Sequence, residues 1–256
     1  MMKTGGNSLT HLWRSVWSIC WKDIKIYYAK GPIVVTGVLF PLFLWAAFYM
    51  GRGLEFKEGL ASLITLTVFF TSSSVTPIIA PWETRQRTLE MLLSRPVTVT
   101  TILAGDILAS TIFGLIFTSP IVISGVILGI VPNNVLLAVA VIVLIAAGFS
   151  SLGVLFSALP TDTPADVVLL SSAVKLPLIF ISGVLTPLAQ LPPWLLVISV
   201  VSPLTYFTDL LRWLYASGAF FPAVTDLVAT VVFTSAFTAG ALKLHKKTLS
   251  ARLQRR

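Results

Sequence analysis

The chain has 256 residues, 56% of them hydrophobic and 11% charged. Soluble domains carry about 25% charged residues, and a chain with a mean hydropathy of +0.92 cannot clothe a surface that faces water. An ordinary soluble enzyme is therefore excluded, as is a disordered chain, which is poor in apolar residues.

The excess of 18 Lys and Arg over 10 Asp and Glu gives a net charge of +8. In a membrane protein this points to cytoplasmic loops and anionic headgroups, not to a nucleic-acid partner. Cys20 is the single cysteine, which leaves no intrachain disulfide and no cysteine-based metal site.

The first predicted element is an amphipathic helix over residues 9–28. Leu9, Leu12, Trp13, Val16, Trp17, Cys20, Trp21 and Ile24 recur at helical spacing, while His11, Arg14, Ser18, Lys22 and Lys25 fall on the other face. Such a helix lies in the membrane interface. It is either a plain anchor or one that also meets a cytoplasmic partner. Residues 1–30 carry five basic residues but lack the short uninterrupted apolar core of a cleavable signal.

The gaps between charges mark the spans, since about 20 apolar residues cross the hydrocarbon. The first spans are expected at 32–51 and 59–82. The charge-free run between Asp106 and Asp162 is too long for one helix and breaks at Val131-Pro132-Asn133-Asn134, giving spans at 107–130 and 135–158. Two more are expected at 166–186 and 222–242. Between them, 187–221 is interrupted by Pro187, Pro192, Pro193 and Pro203 and reads as an external re-entrant helix pair. Residues 243–256 form a basic cytoplasmic tail. The fold class is thus an all-α polytopic membrane protein with six spans, because lipid leaves an open backbone without partners.

With six spans both termini share a side. Fourteen basic residues then lie on that side and three (Arg52, Lys57, Arg212) on the other, which places the termini and the 83–106 loop in the cytoplasm.

Several side chains invite a role. In the 83–106 loop, Glu83, Arg85, Arg87, Glu90 and Arg95 alternate in sign around the apolar Leu89, Met91, Leu92 and Leu93. This suits a short helix that docks into a groove on another protein, or else a solvated connector. The second span holds Thr65, Thr67, Thr71, Ser72, Ser73, Ser74 and Thr76, which serve either close helix packing or substrate contact. Lys175 lies inside the fifth span, where charge is costly. It either snorkels to the cytoplasmic interface, nine residues past Asp166, or builds a positive site for an anionic or polar substrate. Asp209 and Arg212 read as an exposed external pair contributing about 0–1 kcal/mol. Asp162 and Asp166 read as a polar turn and helix start. His11 and His245 are too isolated for a metal site and read as interfacial.

Two segments carry a family resemblance. Glu83, Thr88-Leu89-Glu90, Leu92-Leu93 and Pro96 resemble the cytoplasmic segment after the second span of ABC transporter type-2 (exporter-type) permeases. The Pro187, Pro192 and Pro193 turn, followed by Pro203-Leu204-Thr205-Tyr206, Asp209 and Arg212, resembles the second hallmark of that family. One departure is Arg87, where family members often have Gly.

The resemblance covers nearly the whole chain. It implies a permease dimer, most simply a homodimer, carrying two copies of an ATP-binding cassette subunit. Glu83, Arg85, Arg87, Leu89, Glu90, Leu92 and Leu93 would couple to that subunit. The path would run at the dimer axis along the second and fifth spans, with Thr71, Ser72, Ser73 and Lys175 beside it. The chain has no G-x-x-x-x-G-K-[ST] sequence, so ATP and Mg would be bound by the partner, with no catalytic residue, cofactor or metal in this chain. The expected location is the plasma membrane of a prokaryote. The rival readings are an ion-coupled secondary transporter, which would place acids within spans, and a membrane-embedded enzyme or scaffold subunit.

Overall fold

A computed structural model describes residues 7–28, 35–49, 56–95, 97–161 and 163–254, and among these every regular element is helical. The helices are α1 (Asn7–Asp23), running into a π turn Ile24–Tyr28; α2 (Phe40–Tyr49), preceded by a π turn Val35–Leu39; α3 (Phe56–Ser73); α4 (Thr76–Arg85); α5 (Thr88–Leu93); α6 (Val99–Ile127); α7 (Val135–Phe156); α8 (Pro164–Ile181); α9 (Pro193–Ser199); α10 (Pro203–Leu214); and α11 (Ala223–Gln254).

Among the described residues, five helical stretches are long and apolar enough to cross a membrane: Phe56–Arg85, Val99–Ile127, Val135–Phe156, Pro164–Ile181 and Ala223–Thr248. The α9–α10 pair, bent by 97°, makes a sixth if it is taken as one broken span. The chain is an all-α polytopic membrane protein.

Local chemistry sets the boundaries. The Thr98 hydroxyl accepts from the Thr101 amide at 3.2 Å and caps α6; Asn134 caps α7 by accepting from the Leu137 amide at 3.0 Å. Between them Gly129, at φ +78°, ends α6. The Ile130 amide reaches back to the Gly125 carbonyl at 2.8 Å and the Gly129 amide to Val126 at 3.0 Å, a complete Schellman stop. The hairpin expected at Val131–Asn134 therefore has its chemistry on both sides.

The second expected span is broken. Pro77 has no N–H for the Ser73 carbonyl four residues earlier, so α3 stops there and the chain resumes as α4 after a bend at Ser74 and Val75. The Ser73 and Ser74 hydroxyls bond back to the Phe69 and Phe70 carbonyls, a pattern that bends helices.

The hydrophobic core is built around α3. In the most apolar stretch of Phe56–Arg85, 89% of residues are buried, against 11% in Ala223–Thr248; α3 is the centre and α11 the lipid-facing flank. Phe69 of α3 packs edge-on against Phe149 of α7, and Phe149 against Phe207 of α10, each at 4.8 Å.

Several boundaries differ from those expected. Residues 99–106 belong to α6, because Thr98 caps and starts that helix about two turns before the charge-free run. Helix α8 ends at Ile181, well before 186: Gly183 lies so close to Leu188 that an added Cβ would sit 2.6 Å from its Cγ. The basic tail is not a separate segment, since α11 continues through Gln254. Residues 32–34, 50 and 51 of the first expected span, together with Arg52, Pro96, Asp162, Arg255 and Arg256, lie outside the described residues.

Candidate functional site

At one end of the bundle α1, α4, α5 and α6 form a corner. Helix α1 packs along α6 because Gly105 lets it approach: a Cβ there would lie 2.5 Å from Ile19 Cγ2 and 3.2 Å from the Val16 carbonyl. Val16, Ile19 and Cys20 are buried, whereas Trp13, Trp17 and Trp21 are exposed, the division an interfacial helix needs. Burial, reinforced by Asp23 and Asp106, raises the Cys20 thiol to about 11, so it stays protonated and unreactive.

Electrostatics closes the corner. The Lys22 ammonium contacts Asp23 at 3.0 Å and donates to the Glu83 carboxylate of α4. Glu83 is buried, at 2% exposure. Asp23 is fully buried, as is Asp106 of α6, and the two carboxyls interact, an arrangement that favours holding one proton between them. Burial raises the Asp23 carboxyl above its ordinary value and outweighs the opposing pull of Asp106 and Lys22.

Helix α5 projects from this corner after a tight turn in which Arg87 adopts φ +58°. Leu89 is buried against Ile19 and Ile102, with Leu92, Leu93 and Val97 flanking them. Arg85, Gln86, Arg87, Glu90, Met91 and Arg95 are exposed. Of the leucines expected to dock outward, Leu89 is turned inward and anchors α5, while Leu92 and Leu93 are partly buried beside it; Glu83 anchors α1. A cleft of about 470 Å³ separates α1 from α5, with Arg14, Ser18, Lys22, Gln86, Met91 and Arg95 on its walls.

The candidate path residues separate into two groups. Thr71, Ser72 and Ser73 are fully buried in helix packing. Thr71 and Ser73 bond back to their own helix, and Ser110 of α6 donates to the Ser72 carbonyl. Lys175 behaves differently. It is 7% exposed; its ammonium donates to the Ser73 carbonyl freed by Pro77, and it lies 6.0 Å from the Phe69 ring centroid. It borders a cavity of about 440 Å³ with Ser74, Ser171 and Ser172 among mainly apolar walls.

Two expectations are corrected. Asp209 and Arg212 are not an exposed pair but are buried at 1% and 3%. Asp209 accepts from the Phe220 and Phe221 amides at 2.8 and 2.7 Å, while Arg212 donates to Tyr49 Oη, Ser62 Oγ and the Gly183 carbonyl at 3.2, 3.0 and 2.7 Å. The re-entrant pair folds over the bundle end, so water is excluded from both. His245 is likewise not interfacial. Helix α11 carries it against the end of α7, where Nε2 lies 3.1 Å from Ser157 Oγ and 3.0 Å from the Val154 carbonyl.

Sequence spacing had no means of pairing Lys22 with Glu83, 61 positions apart, or Asp23 with Asp106. The one available signal was a Lys-Asp dipeptide at the end of an interfacial helix.

The sequence profile of the ABC-2 type transporter matches residues 11–216. The chain is also similar to a protein of Porphyra purpurea named "Putative transport permease ycf38", with 26% identity over 207 residues that cover 74% of this chain and 70% of the relative. A family match across most of a multi-pass helical bundle settles the assignment: the chain belongs to the ABC-2 type transporter family, as a transmembrane transport subunit whose family implies association with an ATP-binding subunit.

Proposed function

We propose that this chain is one half of an ATP-driven exporter: two copies form the translocation path, and a separate ATP-binding subunit, also in two copies, docks on α5 and binds the ATP and Mg. Its termini lie in the cytoplasm, beneath the plasma membrane of a prokaryote.

The observation that carries this reading is the corner at α5. A six-residue helix with Glu90 and Met91 exposed, preceded by exposed Arg85 and Arg87, is anchored through Leu89 against Ile19 and Ile102, and the span end before it is tied to α1 by the Lys22–Glu83 pair. Arg85, Arg87, Glu90 and Met91 form the contact face. Glu83, Leu89, Leu92 and Leu93 hold that face in place from behind, so they couple without touching the partner. A push on α5 reaches α4 directly, α1 through Lys22, and α6 through Asp23 and Asp106. Such a push does conformational work only if its contacts differ between the ATP-bound and ATP-free states. The path runs beside the α3–α4 bend and α8, with Thr71, Ser72 and Ser73 shaping the helix wall and Lys175 facing the cavity.

The test is copurification from the native host with the tagged full-length chain. An ATP-binding subunit should come down with a dimer, and Arg85→Glu/Arg87→Glu should release it by at least tenfold while the variant remains folded. Recovery of a transport-competent chain with no ATP-binding subunit, or labelling that places Arg87 outside the cell, overturns the reading.

A further inference from the structure

The cavity beside Lys175 has a composition that selects a ligand class. It opens between the ends of α2 and α3, the start of α4, and α8. Phe40, Val168 and Leu176 stand on its walls and are each about two-fifths exposed or more, so it opens sideways at the depth of the spans. Phe70, Val75 and Ile78 continue the apolar lining inward. At the inner end sits Lys175, the single charged residue on the wall.

Lys175 has no counter-ion among the described residues: no carboxylate lies within ion-pair distance of it. Asp166 is nine residues away on the same helix, about 13 Å along its axis. The ammonium has three donors, and the Ser73 carbonyl takes one. That bond sits at the C-terminal end of α3, where the helix dipole favours a cation, and it fixes where the ammonium points; a partial charge of this kind does not neutralise a full one. A cation held in a dry wall is costly unless an anion meets it.

We propose that this groove takes an amphiphile from the bilayer, its acidic headgroup bound by Lys175 and flanked by the Ser74, Ser171 and Ser172 hydroxyls, and its acyl chain lying along Phe40, Val168 and Leu176. The proposal rests on the reading that the α3–α4 bend and α8 border the transport path, and it names the chemical class of what enters there: an anion with a hydrocarbon tail. Small hydrophilic anions lack the tail that the apolar walls would bury, and cationic amphiphiles meet a like charge.

The test uses the full-length chain in phosphatidylcholine nanodiscs without nucleotide, so that it reads binding whether or not an ATP-binding subunit is attached. Saturable binding of radiolabelled dodecyl phosphate is the signal. Dodecyltrimethylammonium should compete at least tenfold more weakly than unlabelled dodecyl phosphate, and inorganic phosphate should not compete in the same range. Ten mole per cent phosphatidylglycerol in the disc should displace at least half of the label. Lys175→Gln should lose at least tenfold in affinity, Lys175→Arg should stay within threefold, and Ser172→Trp, which fills the groove and leaves the charge, should abolish binding. A merely structural Lys175 would lower thermal stability without changing the preference for anion over cation. Equal affinity for the two dodecyl probes, unchanged binding in Lys175→Gln or Ser172→Trp, or no competition by phosphatidylglycerol overturns the proposal. Loss of copurifying ATP-binding subunit with anion selectivity intact would instead remove the exporter reading and leave this site standing.

Discussion

The two ends of the bundle treat buried charge in opposite ways. At the α1 end, Lys22 lies between Asp23 and Glu83, so charge meets charge across side chains from two elements. At the other end Asp209 and Arg212 sit one turn apart on α10 and bind backbone and hydroxyl groups instead: the Phe220 and Phe221 amides, the Gly183 carbonyl, Tyr49 and Ser62. Side-chain ion pairs can re-form at a slightly different geometry when an element shifts. A guanidinium that satisfies a fixed carbonyl and two helices cannot. On the proposed coupling, the α1 end would move as a unit under load and the α10 end would stay closed.

The sharpest way to break that contrast is Arg212→Leu. The substitution takes the Arg212 donor from the Gly183 carbonyl and two buried hydroxyls, and each buried group left unsatisfied costs about 1–3 kcal/mol. The expected result is a large fall in thermal unfolding temperature in detergent, or no folded protein at all. A variant as stable as the parent would show that the far end is not locked by this residue.

Gly105→Val comes next and strikes the α1 end. The new side chain would collide with Ile19 and with the Val16 carbonyl, forcing α1 off α6 at a cost of about 1–3 kcal/mol by overpacking. The bundle itself should remain folded. Spin labels on the exposed face of α1 should report greater mobility, and copurification of an ATP-binding subunit should fall. Unchanged label mobility would mean that α1 is held by its charges alone.

Asp23→Asn separates charge from packing. Burial holds the Asp23 carboxyl above its ordinary 3.8, so the native state binds its proton more tightly than the unfolded chain does. That contribution is fully present below the ordinary value and is lost as pH rises through the raised native one. Attachment of α1 should therefore weaken with rising pH in the parent, and the slope should flatten in Asp23→Asn, which cannot ionise. Thermal unfolding followed across pH 4–9 reads both; parallel slopes would remove Asp23 from the account.

How much of this was legible in the sequence depends on range. The interfacial helix, the hairpin at Val131–Asn134 and the broken re-entrant segment follow from local periodicity and from Pro, Gly and Asn. The break at Ser74 was signalled by Pro77, yet an apolar run on both sides of it read as one span. Leu89 illustrates the limit most clearly. Hydrophobicity marked it as important, but only the approach of Ile19 and Ile102 decides that it faces inward and Met91 outward. Asp209 and Arg212 looked exposed because the cover of residues 215–222 is a tertiary fact. Nothing in local spacing encodes Lys22 meeting Glu83.

The smallest expected effect is also the one that tests the family resemblance most directly. Arg87 stands in the left-handed region at φ +58°, in the turn between α4 and α5, where the family resemblance leads one to expect Gly. For a residue with a Cβ that conformation costs about 1–2 kcal/mol, whereas Gly adopts it freely and loses more unfolded-state entropy instead. Arg87→Gly should thus leave stability unchanged or raise it by up to about 1 kcal/mol. On the proposed docking, the exposed Arg87 guanidinium belongs to the contact face, so the same variant should bind an ATP-binding subunit more weakly. Higher thermal stability with weaker copurification is the expected pair. If Arg87→Gly raised stability and left copurification unchanged, the charge at this position would have no part in docking, and the contact face would shrink to Arg85, Glu90 and Met91.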